Sequence, residues 1–119
     1  MDGDCVFCKI AEGKISSDFI YENDNFFSIF DKEPWTKGHS LIIPKKHFET
    51  SLDVPNSLGQ ELLDCVKNTA LIVMKENNSE GFHVLQNNFE AAEQIVKHAH
   101  FHIIPRKKGD GKVLKFSDD

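Results

Sequence analysis

The sequence predicts a single α+β domain with a mostly antiparallel sheet of about five strands, one short N-terminal helix and one long helix. Three observations carry this reading. Leu58, Leu62, Val66, Ala70 and Val73 recur with a 3.6-residue period over roughly 20 residues, the mark of one long amphipathic helix. The β-leaning runs are short, and each ends at turn chemistry, glycine or proline. Their order is helix, three strands, long helix, two strands, without the regular βαβ alternation of a parallel sheet. At 119 residues, 39% hydrophobic and 28% charged, the chain can fold around one modest core.

Taken in order, Cys5 to Gly13 reads as a short helix closed by Gly13 in the C-cap position. Phe19-Ile20-Tyr21 and Phe26 to Phe30 flank Glu22-Asn23-Asp24-Asn25, which predicts a hairpin. Pro34 to Gly38 is a loop, and His39 to Ile43 a strand stopped by Pro44. Asp53-Val54-Pro55 resembles the start of the long helix, with Asp53 as N-cap and proline in the first turn. Cys65 lies within that helix and needs no role beyond packing. Gly81 breaks the helix, Phe82 to Gln86 is a strand, and Asn87 to Gln94 a polar loop. Val96 to Ile104 is the last strand, stopped by Pro105, and a charged tail follows over 107–119.

A net charge of −5 argues against a general grip on nucleic acid, which needs clustered positive charge. Lys45-Lys46 and Arg106-Lys107-Lys108 are short runs suited to a solvated surface. The acidic start Met1-Asp2-Gly3-Asp4 is followed by no apolar stretch, so no secretory signal is expected. No run has the roughly 18 apolar residues of a membrane span. Three cysteines do not make a disulfide framework, and a reducing cytoplasm fits them best. A chain of this size would also be admitted to a nucleus.

The chemistry concentrates in His98-Ala99-His100-Phe101-His102-Ile103-Ile104. On a strand the three imidazoles share one face, with same-face neighbours roughly 7 Å apart, while Ala99, Phe101 and Ile103 face the core. Such a row serves one metal ion, metal-free catalysis on one substrate group, or neither. Cys5 and Cys8 pose a second choice, between a redox pair and half of a four-ligand metal site.

These residues resemble a known family. His98 to Ile104 matches the His-φ-His-φ-His-φ-φ signature of the histidine triad (HIT) superfamily. Gly38-His39-Ser40-Leu41-Ile42-Ile43-Pro44-Lys45-Lys46-His47 resembles its second block. Cys5-Val6-Phe7-Cys8-Lys9-Ile10 resembles the opening of zinc-containing members. The likeness runs from residue 5 to about 106 and is greatest to the Hint-like branch.

The resemblance implies a nucleotidyl hydrolase or transferase. It would cleave purine nucleoside 5′-phosphoramidates, or related AMP and GMP conjugates, through a covalent nucleotidyl-histidine. Alternatives are a dinucleoside polyphosphate hydrolase of Fhit type and a catalytically weak nucleotide-binding or scaffolding protein. Neutral imidazole can attack phosphorus without losing a proton, and at a reference pKa of about 6.5 most of it is neutral at pH 7. By position His100 is the nucleophile, aimed by the backbone carbonyl of His98, with His102 and His39 on the phosphate and its bridging atom. Asp31 would accept from the ribose hydroxyls. Phe7, Ile10, Ile29 and Phe30 would wall the base pocket, and Asn87, Gln94, Ile95 and Val96 would approach the nucleotide.

Cys5, Cys8, His47 and His98 would hold a structural Zn²⁺, and no Mg²⁺ is required. A two-fold homodimer through the long helix and a strand edge is implied as well. Three positions depart from the family pattern. In a loop where relatives carry glycines, Phe89 stands at the first of them and Glu93 sets a carboxylate just before Gln94, and Ile95 replaces a Ser or Thr, so slow or selective catalysis is expected. The tryptophan-containing tail of some Hint proteins has no counterpart in Gly109 to Phe116.

Overall fold

The computed structural model describes residues 4–114. The acidic residues 1–3 and the end of the charged tail, 115–119, lie outside the described residues. The elements are α1 (Val6–Ala11), β1 (Tyr21–Glu22), β2 (Phe26–Phe30), β3 (Ser40–Pro44), α2 (Gly59–Asn77), β4 (Gly81–Leu85) and β5 (Phe101–Arg106). All neighbours in the five-stranded sheet are antiparallel, in the order β1-β2-β3-β5-β4.

The sheet is covered on both faces, so β2 and β3 are buried along nearly their whole length, the small Ser28 and Ser40 included, and only Phe30 is exposed. Phe27, Ile29, Leu41 and Ile43 pack with Phe7 and Ile10 of α1. Phe26, Ile42 and Ile103 pack with Cys65, Ala70 and Val73 of α2. The period of two thus assigns whole sets of residues to α1's side or α2's side. Ile103 belongs to α2's side, which leaves His102 on α1's side with Leu41, its partner in the β3–β5 register.

Several boundaries differ from expectation for identifiable reasons. β1 is only Tyr21–Glu22, so Phe19 and Ile20 precede the strand. Asp53 does not cap the long helix. It accepts from Thr50 N at 3.1 Å while the Thr50 hydroxyl accepts from Leu52 N at 3.2 Å, a capping box that closes a separate 3₁₀ turn, Ser51–Asp53. Pro55 leads a second such turn, and α2 begins only at Gly59. α2 ends before Gly81, where Asn78 takes the left-handed conformation at φ 53°.

The last strand is shifted most. It starts at Phe101, not Val96, because 94–100 pairs with loops instead of a neighbouring strand: Ala99 N donates to Phe48 O at 2.6 Å. Both prolines fall inside the ladders, Pro44 as the last residue of β3 and Pro105 one residue before the end of β5. Pro44 and Pro105 are the partners of Phe26 and Phe82, and both lie beyond the short β3–β5 ladder, where no third strand needs their missing N–H.

Candidate active site

α1's side of the sheet holds a cleft of about 350 Å³. α1 contributes Val6, Phe7 and Ile10, spaced so that one helical face meets the sheet. β2 and the loop after it contribute Ile29, Phe30, Asp31, Lys32 and Glu33, and β3 contributes Leu41. Ile95, Val96, His100 and His102 close the other side. Seven of these were expected at a nucleotide from the resemblance: Phe7, Ile10, Ile29, Phe30, Asp31, Ile95 and Val96. Val6, Lys32, Glu33 and Leu41 were not, although Leu41 shares a strand face with His39 and that alternation could have found it.

Asn87 is not among the lining residues. Gln94 is buried, and its side chain serves the loop, accepting from Phe89 N at 2.7 Å and donating to Glu49 O at 2.6 Å and Val96 O at 3.1 Å. That loop takes positive φ at Phe89 (71°), where a glycine was expected, and at Glu93 (69°). Phe89, with ψ 161°, occupies a region that is otherwise almost entirely glycine's.

The triad histidines separate into two environments. His98 is fully buried, and its Nε2–H donates to Pro44 O at 2.8 Å, because a carbonyl can only accept. Its Nδ1 therefore faces Cys5 Sγ at 3.2 Å and Cys8 Sγ at 3.5 Å, while His47 Nδ1 lies 3.2 Å from Cys8 Sγ. The four ligand atoms lie within 4.8 Å of one another and could hold a metal ion. Bond lengths of about 2.3 Å to sulfur and 2.0–2.1 Å to nitrogen would set such atoms about 3.5 Å apart in a tetrahedron, so the donor set fits a closed four-ligand site. Phe7 divides this cluster from the cleft, its ring centroid 5.7 Å from that of His98 and 5.2 Å from that of His100.

In the cleft, His100 Nδ1–H donates to His98 O at 2.8 Å, leaving the Nε2 lone pair available. His39 lies just before β3, diagonal to His102 and opposite Asp31, whose N–H donates to His39 O at 2.9 Å. Trp35 N–H donates to His39 Nδ1 at 3.0 Å, so the neutral ring carries its proton on Nε2. That proton faces His102 Nδ1 at 2.9 Å, with Asp31 Oδ2 3.5 Å away. His102 must then carry its own proton on Nε2.

Burial drives the pKa of His102 down to about 4, helped by His100 and His39 and opposed by Asp31. His39 is likewise lowered by burial and raised in part by Asp31. Asp31, His39 and His102 are near enough to hold a cation, but His39 Nε2 carries the proton that its Nδ1 partner imposes, so the chain of hydrogen bonds works against it. Away from the cleft, burial raises the Cys65 thiol to about 11, consistent with a packing role.

A profile of the HIT domain matches residues 12–109. The chain belongs to the HIT family. It is 41% identical over 107 residues to an adenosine 5′-monophosphoramidase of Candida albicans, spanning 87% of this chain and 70% of that protein. It is 41% identical over 110 residues to an adenylylsulfatase of Arabidopsis thaliana, spanning 92% of this chain and 56% of that protein. A zinc-bound histidine triad family protein from Mycobacterium smegmatis superimposes with a TM-score of 0.83 at 33% identity, over 100% of this chain and 86% of that one. The HIT family includes hydrolases such as these two relatives; the triad lies within the matched residues, and α1 with Cys5 and Cys8 precedes them. Among the described residues no helix is long and apolar enough to cross a membrane.

Proposed function

We propose that this HIT protein hydrolyses purine nucleoside 5′-phosphoramidates and related nucleoside monophosphate conjugates through a covalent intermediate on His100. The observation that carries this reading is the hydrogen bond from His100 Nδ1–H to His98 O, which presents Nε2 to an apolar cleft beside Asp31 and His102. The base lies against Phe7, Ile10, Ile29 and Phe30, and Asp31 accepts from the ribose hydroxyls.

His102 Nε2–H, the hydrogen of the pair left toward the cleft, donates to the leaving nitrogen. His100 Nε2 attacks phosphorus as the bond to that nitrogen breaks, and His102 Nε2 passes its proton to the nitrogen and takes a replacement from solvent in the cleft. Water then attacks the nucleotidyl-His100, gives up its proton to solvent, and the P–Nε2 bond breaks to release the nucleoside monophosphate. His100 needs no base at any stage.

Cys5, Cys8, His47 and His98 would hold zinc, which with four protein ligands keeps no open position and supplies structural support rather than a reacting group. A reducing cytoplasm keeps such thiols available as ligands. The protein acts as a homodimer through α2 and the edge strand β4. Exposed Leu63, Leu71, Phe82 and Val84 support this, as does an apolar hollow of about 280 Å³ between Leu71, Met74 and Phe82. Light scattering of the native protein and of a Leu71→Glu variant tests it, and a native monomer would refute it.

The decisive experiment is hydrolysis of adenosine 5′-phosphoramidate by the native protein and by His100→Ala, with intact-mass detection of a nucleotidyl adduct. Turnover with an adduct in the native protein, both lost in the variant, supports the covalent route. Turnover that survives in the variant overturns it. Rates on adenylyl sulfate and a diadenosine polyphosphate rank the leaving groups.

A further inference from the structure

We infer that Trp35 is a positioning residue, whose clamped ring and peptide N–H together set the direction in which the His39–His102 pair can pass a proton. The inference rests on the proposed hydrolase reading for its kinetic consequence, though not for its structural one.

The peptide N–H of Trp35 is a donor that cannot become an acceptor, and it points at His39 Nδ1 from 3.0 Å. Every later link follows. His39 Nε2 must donate, His102 Nδ1 must accept at 2.9 Å, and His102 Nε2 must present its hydrogen. Were His39 protonated on Nδ1 instead, each link would reverse, and His102 Nε2 would offer a lone pair where a leaving group needs a proton.

The N–H is held in place by the ring attached to the same residue. The half-buried indole has the Arg106 guanidinium 5.3 Å from its ring centre and the Lys112 ammonium 5.5 Å away. The guanidinium cannot turn aside. Its Nε and Nη2 donate to the Asp110 carboxylate at 2.7 and 2.9 Å, Nη2 to Lys112 O at 2.5 Å, and Nη1 to His83 Nε2 at 2.9 Å. Arg106 closes β5, the strand that carries His102, so the clamp fastens the Trp35 loop to the strand bearing the group it orients.

Two further contacts fix the loop. Thr36 Oγ1 donates to Pro105 O at 2.8 Å, and Gly38, at φ 90°, leaves no room for a Cβ against Asn77. Neither contact replaces the ring, since neither constrains the Trp35 peptide plane itself.

Histidine ¹⁵N–¹H correlation spectra of the native protein read the tautomers without any substrate. The expected result is a bare Nδ1 and a protonated Nε2 on both His39 and His102; a protonated His39 Nδ1 overturns the inference. In Trp35→Ala the two His39 tautomers should mix, while Trp35→Phe, which keeps a ring for Arg106, should restore the native pattern. Kinetically, Trp35→Ala should lower kcat on adenosine 5′-phosphoramidate about 10- to 100-fold with KM little changed. On the 4-nitrophenyl ester of AMP, whose leaving group needs no proton, the loss should be less than about 3-fold. Equal losses on both substrates, or an unmixed His39 tautomer in a folded Trp35→Ala protein, would refute the positioning role and leave the hydrolase reading standing. A native protein without turnover would end that reading and leave the tautomer assignment to be judged by its spectra.

Discussion

His98 and His102 stand four residues apart on the same side of one segment, and the structure gives them opposite surroundings. Around His98 there is no solvent: Nε2 is bound to Pro44 O, and Nδ1 faces Cys5 and Cys8. Around His102 one nitrogen is bound to His39 and the other is left toward the cleft. Both rings are imidazoles of the same parity, so what separates them is the neighbour supplied by α1. Cys5, at the cap of that short helix, and Cys8 within it bring two thiols to His98, whereas Phe7 and Ile10 on its neighbouring edge line the cleft.

Substitution of each histidine breaks this contrast at a different point. The largest effect on activity is expected for His100→Ala, with turnover lower by about 10⁴-fold or more and thermal stability nearly unchanged. Removing the ion from the cysteine–histidine cluster with a strong chelator, or replacing Cys8 by serine, should do the reverse. The thermal midpoint should fall by about 10 °C or more, because metal binding to such a site is folding free energy. Activity should fall with it only as far as His98 O ceases to aim His100. A bound-zinc assay near one per chain in the native protein, absent from Cys8→Ser, accompanies that result.

His102→Ala lies between these extremes, at about 10²- to 10³-fold on phosphoramidates and far less on good leaving groups. The pH dependence of His102 sharpens the same point. Its folded pKa, near 4, is below the ordinary 6.5, so the unfolded chain binds the extra proton first. This residue's contribution to stability is therefore full above pH 6.5 and is lost as the pH falls toward 4. A ¹⁵N titration should find the ring neutral at pH 5 in the free protein, and its midpoint should rise when AMP is added.

The smallest effects belong to the loop before the triad. Phe89→Gly should relieve the positive φ and stabilise the fold by about 1 kcal/mol, measured by urea denaturation. Ile95, 89% exposed at the cleft edge, should tolerate serine with a rate on phosphoramidates a few-fold higher. A serine variant no faster than the native chain would show that this position does not govern the leaving group.

Much of the site was legible because alternation survives small errors in where strands end. His98, His100 and His102 keep their parity although β5 starts only at Phe101, and so the carbonyl of His98 reaches His100 as expected. The cysteine pair and its two histidines were legible by position and come together around one point. Boundaries were less so. Asp53 had the right chemistry for a helix cap, but Thr50 was a nearer partner. Val96 to His100 alternates like a strand, yet its backbone and that of Gln94 are taken by loops. Trp35 was passed over because its contribution is a peptide N–H, which every residue but proline has and no side-chain pattern reveals.

Every group assigned to chemistry or to metal in this chain projects from α1's side of the sheet, and α2 covers the other. The strands are a partition as much as a scaffold. Substitutions on α2's outward surface, at Leu63 or Leu71, can accumulate without moving an imbedded imidazole, and changes in the cleft can accumulate without altering what α2 meets. The outer face of α2 and the lining of the cleft are in this sense separately heritable traits of one small domain, free to diverge at different rates.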